Sequence, residues 1–323
     1  MKRKVLVLMS LYNGHTYLRP QIESLVVQEG VALSLLIRDD GSPDKSSLSI
    51  LNEYKEIGCF PMMIIKGENL GFALSFSELI KETSGKYVED YDYFAFCDQD
   101  DVWQPQKLEA ACSALDEADA AHSRLPMMYC SRTTLVDADL KPIKNKKKQR
   151  NVKLTKECSL LQSFATGCTV VVNRTAIKQY ASHISGALYA HDLMMYQICM
   201  FLGKVIWDSN SYILYRQHGR NQIGSGAGFG KRMLQRINFR KNSGHYELQA
   251  RRFLSAFKDE LTVEDIGIIS KFCFYKNSIW SRLALLFDKR YRYNNRESNF
   301  FYMIKIFWGG YNSSFCLSAV CCL

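Results

Sequence analysis

The stretch Tyr93-Phe94-Ala95-Phe96-Cys97-Asp98-Gln99-Asp100-Asp101-Val102-Trp103 constrains this chain more than any other, because a wholly apolar run ends in three carboxylates within four positions. A buried strand that empties into clustered acids is costly unless something cationic is held there. Hard divalent ions such as Mg²⁺ or Mn²⁺ take oxygen ligands, commonly one or two carboxylates together with phosphate oxygens. Asp98 and Asp100 stand on alternate residues, so in an extended segment both point the same way. The bland alternative is an Asp-rich turn capping the helix that Gln104-Pro105-Gln106-Lys107-Leu108 begins. The segments that precede the acids decide between the two readings.

Short apolar runs alternate with amphipathic stretches through the first half. Val5–Met9, Leu33–Ile37, Met62–Ile65 and Tyr93–Phe96 read as strands, and Thr16–Gln28, Ser46–Glu56, Phe72–Glu82 and Gln104–Glu117 carry helical spacing. Thr16 and Ser46-Ser47 are the expected N-caps. Alternating β and α units of this length predict a parallel, twisted sheet with helices on both faces, and ligands in such sheets bind outside the carboxyl ends of the strands. Those ends are Ser10-Leu11-Tyr12-Asn13-Gly14, Arg38-Asp39-Asp40-Gly41-Ser42, Gly67-Glu68-Asn69-Leu70-Gly71 and the acid triplet. Each has a plain explanation as turn chemistry. Four of them on one edge predict a site for a mononucleotide diphosphate. Gly-x-Gly-x-x-Gly and the Walker A lysine motif are both absent, which excludes the common dinucleotide and P-loop designs.

Further along, Met127–Cys130 reads as a strand and residues 141–156 as an exposed basic loop. Cys168–Val172 reads as a strand after Thr166-Gly167, and Leu193–Phe201 as a helix led by His191-Asp192. Two short strands, Val205–Trp207 and Tyr212–Tyr215, run into Arg216-Gln217-His218-Gly219-Arg220-Asn221. The glycine-rich joint over 224–230 then marks a boundary, giving a body of residues 1–224 and a region 225–323. The start resembles a signal peptide, but its apolar run breaks early at Tyr12-Asn13-Gly14 and reads as a first buried strand. The eleven scattered cysteines lack zinc-site spacing and read as reduced core thiols, which favours a cytoplasmic compartment.

These motifs occur in the order found in family 2 glycosyltransferases: Ser10–Gly14, Ile37–Ser42, Asn69-Leu70-Gly71, Asp98–Trp103, His191-Asp192 and Tyr215–His218. Within that family the set most resembles bacterial rhamnosyltransferases that build cell-wall, capsule and O-antigen polysaccharides. The resemblance covers about residues 1–224 and reaches the remainder only loosely. It implies the GT-A fold (Rossmann-like, mostly parallel), a nucleotide-sugar donor such as a dTDP- or UDP-sugar, a divalent metal, and inversion at the anomeric carbon. The family's common Gln-x-x-Arg-Trp signature is missing. Because that signature accompanies processive polymerisation, addition of one or a few sugars is expected here.

The resemblance, with the chemistry of the side chains, suggests roles. Tyr12 would stack on the donor's pyrimidine. Asp40, or Asp39 if the turn differs by one residue, would accept the base N3–H and so select uracil or thymine over cytosine. Asn69 joins the donor-binding set, and Gly167 would let the backbone approach the donor sugar closely. Asp98 and Asp100 would meet the ribose and the metal, with Asp101 serving the local turn. His218 would complete the metal's coordination, and Arg216 or Arg220 would hold the diphosphate, the alternative for each arginine being a surface ion pair. Inversion needs one base, and Asp192 is the candidate, against a plain helix N-cap. His191 would orient the loop or touch the acceptor.

From residue 225 onward 16 Lys/Arg face 7 Asp/Glu, a balance of +9 out of the chain's +10. Basic clusters interleaved with aromatic residues suit nucleic acid or anionic lipid. A lipid-linked glycan acceptor makes the lipid reading the coherent one, with the protein peripheral at the inner face of the cell membrane and no nucleic acid partner. The alternative is a helical appendage packed on the body. Outside enzymes, the same residues suit a glycan- or nucleic-acid-binding module.

Overall fold

A computed structural model describes residues 2–119, 124–143, 152–186, 190–218 and 244–307. By packing, the chain divides into two compact units, Met1–Lys146 with Phe164–Ile237, and Lys147–Ser163 with Asn238–Leu323. The segment Lys147–Ser163, placed in the body on sequence grounds, therefore clusters with the second unit. The expected boundary at 224/225, Arg220, the basic clusters of 231–241 and the apolar end from 315 lie outside the described residues.

The first unit is built on β1 (Arg3–Leu11), α1 (His15–Val26), β2 (Val31–Asp39), α2 (Ser46–Ile57), β3 (Met62–Lys66), α3 (Phe72–Lys86) and β4 (Tyr93–Cys97). β5 (Val102–Trp103), α4 (Lys107–Asp119), β6 (Met127–Val136), β7 (Val171–Asn173), α6 (Arg174–His183), α7 (His191–Leu202) and β8 (Lys204–Arg216) complete it, while α5 (Lys156–Ser159) falls in the second unit. The sheet order is β3-β2-β1-β4-β7-β6-β8-β5. β1 runs parallel to β2 and β4, with Val7 opposite both Leu35 and Ala95, and β2 runs parallel to β3. A strand covered on both faces must be apolar throughout, and Val5–Met9 are 0% exposed.

Alternation along β1 sends Val5, Val7, Met9 and Leu11 to one face, against Leu18 and Ile22 of α1, Leu51 of α2, and Leu108, Ala111 and Leu115 of α4. Phe76 of α3 packs on Phe96 of β4, with ring centroids 5.8 Å apart. Fully burying a side chain of this size is worth about 1.5–3 kcal/mol, so the two apolar faces fix the register.

Several details depart from the expectations. The sheet is mixed beyond β4, because β7 runs antiparallel to both β4 and β6. The two short strands expected over 205–215 are one strand, β8, which crosses polar Asp208-Ser209-Asn210 where its pairing with β6 shifts register. Gly167–Thr169 form a 3₁₀ turn before β7, with Thr169 N–H bonded to Thr166 O at 2.8 Å. Neither Thr16 nor Ser46 caps its helix. Gly14 precedes α1, and Asp44 Oδ1 accepts from Ser46 N–H at 2.6 Å beside α2.

The second unit packs a helix over 244–257 (α8) with α9 (Val263–Cys273), α10 (Ile279–Phe287) and α11 (Arg296–Phe307). Glu247, 6% exposed, would be costly to bury alone; Tyr275 O–H at 3.1 Å, Lys276 at 2.9 Å and Lys305 satisfy it. Asp265 is held the same way by Lys156 at 2.6 Å, which ties α5 to α9. Among the described residues no helix is long and apolar enough to cross a membrane. The eight described cysteines are free thiols, all buried except Cys59.

Candidate active site

The carboxyl ends of β1, β2 and β4 are joined by side-chain hydrogen bonds. After β1 the chain turns through Asn13, at φ 48°, into Gly14, where a Cβ would stand 2.6 Å from Gln99 Oε1. Gln99 grips this turn twice. Its Oε1 accepts from Tyr12 N–H at 2.8 Å and its Nε2 donates to Tyr12 O at 3.0 Å. The grip holds the backbone and leaves the ring free, so Tyr12 is 43% exposed rather than a core tyrosine.

At the end of β2, Gly41 takes φ +76° and the two aspartates part company. Asp40 is 2% exposed, accepts from Leu70 and Gly71 N–H at 3.0 and 2.9 Å, and pairs with Arg38. Both of its oxygens are thus taken up by the loop after β3, so the base-reading role expected first for Asp40 does not fit its position. Asp39 Oδ1 accepts from Ser42 N–H at 3.1 Å, and among the described residues no donor meets its other oxygen. Ser42 Oγ in turn accepts from Asn13 N–H at 3.1 Å. The loop that Asp40 and Arg38 anchor carries Asn69 at its exposed tip.

The acid triplet crosses from β4 to β5, and β5 pairs with β8 through Val102↔Leu214 and Trp103↔Ile213. Asp101 is 0% exposed, accepts Arg216 N–H at 3.0 Å, and keeps Oδ2 buried without a donor among the described residues. Ligand atoms of Asp98, Asp101 and Cys168 lie within 4.8 Å of one another. Asp100 Oδ2 instead meets His218 Nε2 at 2.7 Å. Burial, and then the charges of Asp101, Asp100 and Asp192, hold Asp98 well above the usual carboxylate range. Burial and the Asp100 charge likewise push Asp101 up to about 7. The charges of the described residues around these acids do not offset their burial and mutual repulsion, and a divalent cation fits there. Burial raises the Cys168 thiol well above its ordinary value, and its soft sulfur suits a hard ion less well than the carboxylate oxygens beside it.

Arg216 is 3% exposed, and two of its guanidinium nitrogens bond to carbonyls of the chain itself. It donates to Asp100 O at 2.8 Å and to Ala138 O, and lies 4.6 Å over the Tyr17 ring. Through Nε and Nη1 the side chain holds the acid loop against β8, a role beside the diphosphate contact expected of it.

A fourth carboxylate approaches from α7. Asp192 sits in the first turn, with Leu193 N–H donating to its Oδ1 at 2.8 Å. Burial pushes it up to about 6, against the pull of the backbone N–H groups of Leu193, Asp192 and Gly167. A Cβ at Gly167 would stand 3.6 Å from Asp192 Oδ2 and 3.6 Å from His191 Nε2, so glycine keeps that space clear. His191 is 3% exposed, and neither ring nitrogen has a partner among the described residues. Leaving a buried polar group unmatched costs about 1–3 kcal/mol.

Sequence reasoning missed the roles of Gln99, Arg38 and Cys168, which depend on contacts between strands far apart in the chain. It also missed Lys107, which is 1% exposed, 3.4 Å over the Trp103 ring, and pushed down to about 8 by burial. A signal for Lys107 was present. Lys107, Ala111, Leu115 and Ala118 recur at helical spacing, which puts a cation on the apolar stripe of α4 behind the acids.

Comparison with known proteins gives the constellation a family. The chain is 27% identical over 270 residues, 80% of its own length and 87% of the relative's, to the dTDP-rhamnosyl transferase RfbG of Shigella flexneri. It is 25% identical to an uncharacterized glycosyltransferase of Rickettsia typhi, over 66% of this chain and 64% of that one. In fold it is similar to S. aureus TarS 1-349 in complex with UDP-GlcNAc, with TM-score 0.53 and 16% identity over 94% of this chain and 90% of that one. It is also similar to mannosyltransferase PcManGT from Pyrobaculum calidifontis in complex with GDP-Man and Mn²⁺, with TM-score 0.52 and 12% identity over 95% and 88% of the two chains. The architecture is the GT-A fold. The glycosyl transferase family 2 model matches residues 6–181, the span that supplies Tyr12, Asp39, Asp40, Asn69, the acid triplet and Gly167, and the chain belongs to that family.

Proposed function

We propose that this glycosyltransferase moves a sugar, with inversion, from a nucleoside diphosphate donor to a hydroxyl of a lipid-linked or growing bacterial surface polysaccharide, and that the donor is dTDP-L-rhamnose. The observation that carries the reading is the approach of Asp192, at the start of α7, to the acid cluster after β4, close enough for its charge to act on Asp98. A mutually repelling cluster at Asp98–Asp101 suits a cation and phosphates, and the carboxylate that approaches it from α7, Asp192, is raised to about 6. In this reading Tyr12 stacks on the base, Asp39 accepts N3–H, and Asn69 and the Gly167 backbone border the donor. Asp98, Asp100 and His218 hold Mg²⁺ or Mn²⁺. Such an ion supplies charge neutralisation for the departing nucleoside diphosphate. Asp192 takes the proton from the acceptor hydroxyl while that oxygen attacks the anomeric carbon on the face opposite the leaving phosphate.

Similarity to the Shigella flexneri dTDP-rhamnosyl transferase favours rhamnose. A UDP-hexose donor is the second reading, favoured by the fold likeness to the protein solved with UDP-GlcNAc. A panel of dTDP- and UDP-sugars, scored by nucleoside diphosphate release, separates them. Release from dTDP-rhamnose is expected to exceed that from UDP-hexoses about tenfold or more. Equal response to all donors would contradict the rhamnose assignment.

The acceptor reading places the protein at the inner face of the membrane. In support, α10 buries only Leu285 and exposes Ile279 at 55%, Trp280 at 76% and Phe287 at 75%, with Arg282 on the same helix. An amphipathic helix with aromatic and basic residues suits an anionic interface. Because Lys147–Ser163 belongs to the second unit, point changes test this better than deletion beyond residue 224. Trp280→Ala with Phe287→Ala is expected to weaken co-sedimentation with anionic vesicles at least about tenfold, given about 1.5–3 kcal/mol per buried side chain. Unchanged pelleting would make α10 a packing surface.

A further inference from the structure

His191 is buried but not satisfied. Its ring stacks on Phe76 at 4.0 Å and 17°, meets Phe96 edge-on at 5.2 Å and Phe72 at 6.4 Å, and so is fixed by three aromatic walls. Neither Nδ1 nor Nε2 finds a partner among the described residues. A phenylalanine or leucine would fill this space without an unmatched polar group, so packing does not account for an imidazole. Burial holds the ring neutral, with its pKa pushed down to about 3, and one nitrogen donates while the other accepts. It therefore neither competes with Asp192 for a proton nor adds charge beside it.

The position of Nε2 locates the missing partner. Nε2 and Asp192 Oδ2 each lie 3.6 Å from the point where a side chain at residue 167 would start, and Gly167 has none. The gap is bordered by one neutral imidazole and one carboxylate, a pairing suited to neighbouring hydroxyls of a pyranose and not to a phosphate. We propose that His191 is a sugar-binding residue whose Nε2 hydrogen-bonds a pyranose hydroxyl at the Gly167 gap, next to the hydroxyl that Asp192 deprotonates. The proposal rests on the reading of Asp192 as the base. That hydroxyl belongs either to the donor sugar or to the acceptor, and both present the same chemistry.

The test uses the full chain with His191→Phe, His191→Gln and His191→Asn, followed by donor hydrolysis without acceptor and by transfer at varied acceptor. His191→Phe is expected to keep or raise Tm while lowering kcat/KM for transfer about 10- to 100-fold, or about 1.4 kcal/mol per tenfold. Glutamine reaches the Nε2 position and is expected to restore most of the loss, whereas asparagine, which reaches only Nδ1, is not. A donor hydroxyl shows as impaired hydrolysis together with a raised donor KM. An acceptor hydroxyl raises the acceptor KM alone. Folded His191→Phe with unchanged kcat and KM values overturns the proposal. Equal impairment of the glutamine and asparagine variants, in step with lost Tm, overturns it as well by making the role structural. Should Asp192→Asn keep transfer, the reading of the base fails instead, whatever His191 does.

Discussion

Asp192→Asn is expected to lower transfer by about 10²–10⁴-fold while leaving nucleotide affinity unchanged, the loss typical of removing a general base. The change is isosteric, and the amide oxygen still accepts Leu193 N–H, the 2.8 Å bond that holds the carboxylate at the start of α7. Wild-type turnover should fall on the acid side as Asp192 takes up its proton near pH 6. Stability should move the opposite way. Burial raises the folded pKa from 3.8 to about 6, so above pH 6 the ionised carboxylate burdens the native state by up to about 3 kcal/mol. Between about pH 6 and 4 the native state takes up the proton before the unfolded state does, and the burden shrinks; below that window both states are protonated and it is gone. Asp192→Asn should therefore raise Tm at pH 8 and lose that advantage by about pH 3.5. Near-normal transfer by the variant would move the base elsewhere.

Asp100→Ala should act on binding. It removes the carboxylate that meets His218 at 2.7 Å and leaves Asp98 and Asp101 to face a cation without it. Losing even an outer partner of a metal ligand typically weakens metal binding about 10–100-fold, so loss of a ligand should do at least that. Nucleotide affinity measured with Mn²⁺ should drop toward the metal-free value, while the metal-free value itself stays as in the wild type. Calorimetric titration of the nucleoside diphosphate with and without metal reads both. Activity untouched by EDTA would remove the metal from the account altogether.

The sheet was legible because parallel strands buried on both faces must be apolar along their length, and the centres of β1, β2 and β4 announce themselves in that way, while β3, a half-buried edge strand, shows as a shorter apolar run. Polarity after β4 was not, since the antiparallel setting of β7 is decided by partners rather than by its own three residues. The acid loop could be read from composition, and the position of Asp192 at the start of a helix from the apolar run that follows it. The different surroundings of Asp39 and Asp40 could not, because those of Asp40 rest on Leu70 and Gly71 N–H groups about thirty residues away. At a strand end, Arg216 reads from sequence as a diphosphate-binding residue or one half of a surface ion pair. Its burial follows from carbonyls of Asp100 and Ala138 that only the folded sheet brings to it. The membership of Lys147–Ser163 in the second unit was equally invisible, resting on contacts such as Lys156 with Asp265 across more than a hundred residues.

The central claim is that two neighbouring groups have separable functions, the acid cluster after β4 for donor and metal and Asp192 at the start of α7 for the proton. Donor binding and turnover measured side by side on wild type, Asp192→Asn and Asp100→Ala, with Mn²⁺ present, test it most directly. The account predicts that Asp192→Asn binds dTDP-rhamnose like the wild type without transferring it, while Asp100→Ala loses the metal-linked part of binding. Equal loss of binding in both folded variants, or binding and turnover unaffected in both, would contradict it.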